Sequence, residues 1–338
     1  VFLLVTLVVH RPATAEEGRV ETIQVHSPSL VGNRLEDTPN RDVLVYLPPE
    51  YDQDSERRFP VVYLLHGYSA DETLWSGGGY VSDLNLAKVA GKSRGNALIL
   101  VAPDCKNGYG GSWYTNSPVT GNWEDFITKD LIGHIDTKYR TIPNRDSRGI
   151  AGHSMGGHGA IKIAMRHAEL YSVVYAMSAA WVDFDKTVNQ EFSEQLALAT
   201  KLKQRDVFPE IPWRGRAFIA LAAAVAPNLN SSPFFVDLPV DGHGQRIDHI
   251  WKRWRKHDLV HQVATYRGNL RKYKAISLDC GSEEPNLLPQ NVALSEALGR
   301  AGIRHTFEKF EGNHADRVAD QLESKVLPLF SRLLEEDE

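Results

Sequence analysis

From residue 43 onward, short runs of β-branched and apolar residues alternate with longer stretches whose apolar positions recur at helical spacing. Residues 43–47, 61–65 and 97–102 read as strands, and 61–65 is nearly all apolar, as a strand covered on both faces is. A helix is expected over 123–139, a strand over 148–152, a helix over 155–167 and a strand over 172–177. Residues 273–278 and 305–310 read as two further strands separated by a helix over 289–301, and a last helix follows. This alternation predicts an α/β fold with a mostly parallel central sheet and helices on both faces. One segment breaks the rhythm. Residues 181–244 are long and irregular, with Pro209, Pro212, Pro227, Pro233 and Pro239, where a single crossover would suffice. Excursions at strand C-termini build ligand sites in open α/β sheets, so this one is expected to be a cap-like insertion over the site.

The 338 residues are 42% hydrophobic and 24% charged, which one domain over 16–338 can use entirely. A net charge of -5 argues against a broad nucleic-acid surface, and the basic run Trp251-Lys-Arg-Trp-Arg-Lys256 reads as a solvated helix face. Residues 1–9 form a short apolar run broken only by Thr6, Ala13-Thr14-Ala15 supplies a small-x-small pattern, and the chain then turns abruptly acidic at Glu16-Glu17. Residues 1–15 therefore read as a secretory signal lacking its basic start, with a secreted or periplasmic mature chain; a buried first strand is the alternative. The run is far shorter than the roughly 20 residues of a spanning helix, so no membrane span is expected.

Candidate chemistry centres on Gly152-His-Ser-Met-Gly156, which matches Gly-x-Ser-x-Gly between an apolar strand and an amphipathic helix. That context suits a nucleophile: Ser154 would occupy a tight strand-to-helix turn that only flanking glycines leave room for. His66-Gly67-Tyr68 follows another apolar strand, and a turn at that point supplies one oxyanion-hole N–H, the residue after the nucleophile supplying the other. Tyr68 and Met155 are thus the expected oxyanion donors, and His66 reads as a histidine that braces the turn. Of thirteen histidines, His314 follows the last strand and precedes the last helix, the position of a base in the chain order Ser, acid, His. His305 is the nearest competitor, but it falls inside the strand pattern. The acid lies in Asp279-Cys-Gly-Ser-Glu-Glu284, where spacing does not choose among Asp279, Glu283 and Glu284. No His/Cys/Asp group has metal-ligand spacing, so no metal is expected.

Gly152-His-Ser-Met-Gly-Gly-His-Gly-Ala160 resembles the elbow of the esterase D group, which includes the S-formylglutathione hydrolases, with feruloyl and acetylxylan esterases and mycobacterial mycolyltransferases as relatives. The resemblance extends to Leu64-Leu-His-Gly67, Asn122-Trp-Glu-Asp-Phe126, Asp279-Cys-Gly281 and Gly312-Asn-His314, and covers about 43–330. It implies an α/β-hydrolase fold, ester hydrolysis through an acyl-serine, and neither metal nor organic cofactor. The group's acid is an aspartate three residues after the glycine, which maps to Glu284, one methylene longer. In this fold Cys105 and Cys280 follow strands about three others apart. That separation, roughly 15–20 Å, keeps them free thiols, because a disulfide needs Cα atoms within about 7 Å. Trp113 and Trp123, with Tyr114 nearby and Phe234-Phe235 in the expected cap, are candidate substrate contacts for an aromatic or sugar-linked ester. Two rival functions are acyl transfer to a sugar hydroxyl through the same triad, and a non-catalytic binding module on a hydrolase scaffold, a class that typically lacks the serine or histidine present here.

Overall fold

The computed structural model describes residues 18–92, 95–188, 190–202 and 208–336, and the expected address at 1–15 lies outside the described residues. Ten strands are present among the described residues: β1 (Arg19–His26), β2 (Asn40–Leu47), β3 (Val61–Leu65), β4 (Ile99–Pro103), β5 (Asn116–Ser117), β6 (Gly121–Asn122), β7 (Arg148–His153), β8 (Val173–Met177), β9 (Ala275–Gly281) and β10 (Thr306–Phe310). β5 and β6 form a two-stranded hairpin, and the other eight make one sheet in the order β1-β2-β4-β3-β7-β8-β9-β10. β1 and β2 run antiparallel to their neighbours, and every pairing from β4 to β10 is parallel.

The pleat sorts this sheet into two cores. Val61, Tyr63 and Leu65 of β3 face one side with Val43 and Val45 of β2, under the helices Met155–Arg166, Trp213–Val225 and Leu288–Arg300. Val62 and Leu64 face the other side with Leu44 and Tyr46, against Leu86–Lys92 and the C-terminal helical run from Val318 to Leu333. β3 leads to β4 on one flank, whereas β4 returns across to β7 on the other. The crevice between the exits of β3 and β7 is therefore a topological switch point, where open α/β sheets bind ligands.

The structure departs from expectation in four places. β1 has no counterpart in the sequence reading: it is an edge strand whose solvent-facing residues are polar apart from Val20 and whose buried residues are Ile23 and Val25. β9 runs on to Gly281 because Glu308 and Phe310 of β10 pair with Asp279 and Gly281, so Cys280 lies within a strand rather than after it. β10 begins at Thr306, which leaves His305 one residue outside it, its ring held by Ser295 Oγ and the Ile303 carbonyl. The excursion between β8 and β9 extends beyond 181–244 and is largely helical, with Gln190–Thr200, Trp213–Val225, Asp248–Trp254 and Leu259–Thr265. Its prolines sit at helix starts and in loops: Pro212, for example, is the N-cap of Trp213–Val225. Within Asp248–Trp254, Trp251 and Trp254 are buried while Lys252 faces solvent. Cys105 and Cys280 are free and buried, with β3, β7 and β8 between β4 and β9.

Candidate active site

The centre of the site is a backbone that only this local sequence permits. Ser154 joins β7 to Met155–Arg166 at φ 59° and ψ -117°, a left-handed conformation that a residue with a Cβ holds only when its surroundings enforce it. They do so from β8. The Ser154 N–H donates to the Met177 carbonyl at 2.9 Å, and its own carbonyl accepts from His158 and Ala180 N–H at 3.0 Å each. A Cβ on Gly152 would stand 2.3 Å from the Gly156 main chain, and one on Gly156 would stand 1.9 Å from the Leu65 carbonyl oxygen. Both glycines are required by that crossing of chains. Met155 is the first helical residue, so its N–H has no intrahelical acceptor and lies at the positive end of the helix dipole.

Facing this elbow is the turn after β3. A Cβ on Gly67 would lie 3.1 Å from Ser154 Cβ, so the two segments touch and Tyr68 stands beside the serine. His66 is fully buried and braces the turn: its Nδ1–H donates to the Gly67 carbonyl at 2.8 Å, and its Nε2 accepts the Cys105 N–H at 2.8 Å. That pattern fixes one neutral tautomer, and burial lowers the ring's pKa in the same sense. The Tyr114 hydroxyl donates to the His66 carbonyl at 2.7 Å.

His314, in the loop after β10, meets Glu284, in the turn after β9. His314 Nδ1–H donates to Glu284 Oε2 at 2.5 Å, with the histidine side chain 38% exposed and the carboxylate 2%. The other oxygen of Glu284 accepts from the Ser178 hydroxyl at 2.5 Å and the Gly281 N–H at 2.9 Å. Burial pushes this carboxyl up, but those donors outweigh it and the net shift is downward, toward the anion. The other two acids lie apart from the ring. Asp279 accepts from the Tyr175 hydroxyl at 3.0 Å and the Ser178 N–H at 3.2 Å, and burial raises it to about 7. Glu283 is exposed on the cavity rim, its N–H on the Gly312 carbonyl. Gly281 permits the approach: a Cβ there would meet Gly312 O at 2.4 Å.

Ser154, Glu284 and His314 line one cavity of about 380 Å³ whose walls include Tyr68, Trp113, Trp181 and Trp213. Trp113 lies parallel to Trp181 at 4.9 Å, and Trp181 to Phe218 at 4.2 Å. Trp113 and Tyr114 both have positive φ, 52° and 49°, held from below by Lys162 Nζ, which donates to the Tyr114 carbonyl and the Thr115 hydroxyl. Burial lowers Lys162 to about 8, opposed by Glu124 at 3.4 Å. Trp123 does not reach the cavity. It is fully buried, its indole N–H donates to the Thr120 carbonyl at 2.7 Å, and the Arg41 guanidinium covers its ring at 5.2 Å. Phe234 likewise packs on Tyr109 and Phe208 away from the serine. Sequence reasoning missed Trp181 and Trp213. The first opens the excursion directly after β8, and the second starts its helix 49% exposed, a large aromatic left in solvent at the cavity mouth. No group of three or more potential metal ligands exists among the described residues. No helix among them is long and apolar enough to cross a membrane.

Comparison with known proteins adds a family. Residues 36–318 match the family model described as "Putative esterase". Esterase Rv1288 of Mycobacterium tuberculosis is 35% identical over 133 residues, covering 38% of this chain and 26% of that protein. The S-formylglutathione hydrolase of Mus musculus is 28% identical over 153 residues, 40% of this chain and 50% of the mouse enzyme. The chain thus matches half or less of the length of these relatives. Among solved structures, a ferulic acid esterase superposes with a TM-score of 0.64 at 23% identity, covering 94% of this chain and 99% of that one, a likeness of the α/β-hydrolase fold.

Proposed function

Because the chain belongs to the esterase family, we propose that it is a serine-dependent carboxylic-ester hydrolase in which Ser154 attacks, His314 moves the proton and Glu284 orients the histidine. The observation that carries this reading is the convergence, at the mouth of one aromatic cavity, of an elbow serine and a histidine bonded to a buried carboxylate. With Glu284 fixing hydrogen on Nδ1, His314 Nε2 is free of a proton and can accept the one on Ser154 Oγ. The alkoxide adds to the ester carbonyl, and the Tyr68 and Met155 N–H groups receive the oxyanion, each donor being worth about 2.7–4 kcal/mol of transition-state stabilisation. The tetrahedral adduct collapses as the imidazolium returns the proton to the leaving alcohol. Water, deprotonated by the same ring, then releases the acid from the acyl-serine. Glu284 stays ionised throughout and stabilises the imidazolium.

The substrate class that fits is an ester with a flat aromatic or a short acyl group. The stacked indoles of Trp113 and Trp181 support an aromatic partner, and the likeness to a ferulic acid esterase points the same way. Export belongs to the same reading and rests on the apolar run at 1–9 and Ala13-Thr14-Ala15. The test is Ser154→Ala against nitrophenyl, feruloyl and acetyl-sugar esters. Loss of about 10⁶ in kcat is expected. Retention of activity within tenfold of wild type, in homogeneous protein, would falsify the proposal.

A further inference from the structure

His153 precedes the serine and is the last residue of β7, yet its side chain points away from the cavity into the protein, where it is buried. Its ring spans two segments. Nε2 lies 2.8 Å from the His314 carbonyl oxygen, and Nδ1 lies 2.9 Å from the Tyr80 hydroxyl. A carbonyl only accepts, so Nε2 carries the hydrogen and donates; Nδ1 is then bare and accepts from Tyr80 O–H. The oxygen of Tyr80 also lies against the main chain at Gly67, where a Cβ would stand 1.9 Å from it. Two hydrogen bonds thus run from Tyr80, packed on Gly67 beside the oxyanion turn, through His153 to the backbone of His314. The rings of His153 and His314 lie 4.6 Å apart, tilted by 42°.

We propose that His153 is a positioning residue for this reaction, a neutral strut that holds the His314 loop in register with the oxyanion turn. The inference rests on the hydrolase reading above. Glu284 controls how the His314 ring is turned, but a ring fixed only at Nδ1 can still shift with its loop. That loop hangs from β10, an edge strand that among the described residues pairs only with β9. The bond from His153 is made to the main chain of His314 itself, from the rigid centre of the sheet, so it restrains the one coordinate that Glu284 leaves open. A displacement of about 1 Å between base and nucleophile is enough to cost on the order of 10²-fold in rate. The strut must also remain uncharged beside a ring that becomes an imidazolium in each turnover. Burial, with His314 adding to it, lowers the His153 pKa to about 3, so it does not compete for the proton.

The test uses three variants with kcat, KM and the rate of fluorophosphonate labelling measured per titratable Ser154. His153→Asn can keep the partner of Tyr80 but withdraws the donor from the His314 carbonyl, and kcat and labelling rate are expected to fall roughly 10–10²-fold with KM within about twofold. His153→Gln puts an amide N–H near the Nε2 position and is expected to recover kcat to within about fivefold of wild type. Tyr80→Phe frees one end of the ring and is expected to lower kcat several-fold, which keeps the question answerable if His153→Asn does not fold. His153→Asn at wild-type kcat, His153→Gln no better than His153→Asn, or Tyr80→Phe without effect overturns the proposal. Ser154→Ala run alongside separates the two readings: if it is inactive while the strut variants behave as wild type, only the strut is lost.

Discussion

Replacing Glu284 by glutamine changes one atom and leaves no choice about where that atom goes. Oε1 receives three donors, the Ser178 hydroxyl at 2.5 Å, the Gly281 N–H at 2.9 Å and the Cys280 thiol at 3.6 Å, so in the amide this position must remain oxygen. The new NH₂ is therefore forced into the place of Oε2, facing His314 Nδ1. Two donors cannot share that contact, and the ring relieves it by moving its hydrogen to Nε2. In that tautomer His314 cannot accept the Ser154 proton, and the buried anion that would have stabilised the imidazolium is gone as well. A loss of about 10⁴ in kcat is expected, ~5.5 kcal/mol of transition-state stabilisation at about 1.36 kcal/mol per decade. KM should change little, because Glu284 supports the histidine rather than the substrate. Glu284→Asp keeps the charge but retreats by one methylene, and about 10–10²-fold loss is expected from the displaced ring. The assay is steady-state hydrolysis of a nitrophenyl ester at neutral pH, beside Asp279→Asn and Glu283→Gln, with melting curves to show that each variant folds. Glu284→Gln within tenfold of wild type, with either alternative collapsed, would refute the reasoning.

Asp279, raised by burial to about 7 from 3.8, binds its proton more tightly folded than unfolded. Its stabilising contribution is complete below pH 4 and is lost as pH rises to 7, so the melting temperature of Asp279→Asn should gain on wild type across that window; curves that stay parallel would contradict this. His153 and His158 are both lowered to about 3, so they hold the fold above pH 6.5 and cease to do so as pH falls toward 3. Urea unfolding should show a loss of a few kcal/mol between pH 7 and pH 5, with proton uptake on unfolding, and a flat profile would argue against it. Trp181→Ala removes the middle ring of the stack and should lower kcat/KM for aromatic esters about tenfold while sparing acetyl esters; an equal loss on both would remove Trp181 from the acyl site. Trp123→Phe should leave kcat/KM within about twofold while lowering the melting temperature, since it vacates core volume and a buried hydrogen bond.

The parts of the site legible in the sequence are those imposed by contacts a few residues apart. Gly152 is needed because the chain crosses itself at Gly156 within one turn, so the elbow can be read from five letters and their flanks, although Gly156 itself is demanded by β3, where its Cβ would meet the Leu65 carbonyl. The acid is a different problem. Asp279, Glu283 and Glu284 lie within six residues, and which one faces His314 depends on where β9 stops, a boundary set by pairing with β10 rather than by the local sequence. The tryptophans fail for the same reason. Trp113 and Trp123 both lie in the segment that follows β4, but Arg41 from β2 covers Trp123, and a lysine on the elbow helix turns Trp113 toward the cavity. β1 escaped because an edge strand with one half-buried face carries only two buried apolar residues. The helices of the excursion were hidden among its prolines, of which Pro212 caps Trp213–Val225.

The distribution of the reacting groups across the sheet has a mechanical consequence. Ser154 issues from β7, a central strand with neighbours on both sides, whereas His314 is carried by β10, which among the described residues pairs with one strand and stands at the sheet edge. Elements with fewer partners open at lower free energy than the core they border. Warming or mild denaturant should therefore release the base while the nucleophile is still held, and catalysis should fade before the spectroscopic melting of the sheet begins. What survives in that interval is a folded protein with an intact serine and no partner to activate it. Such a state regains activity on cooling without having to refold.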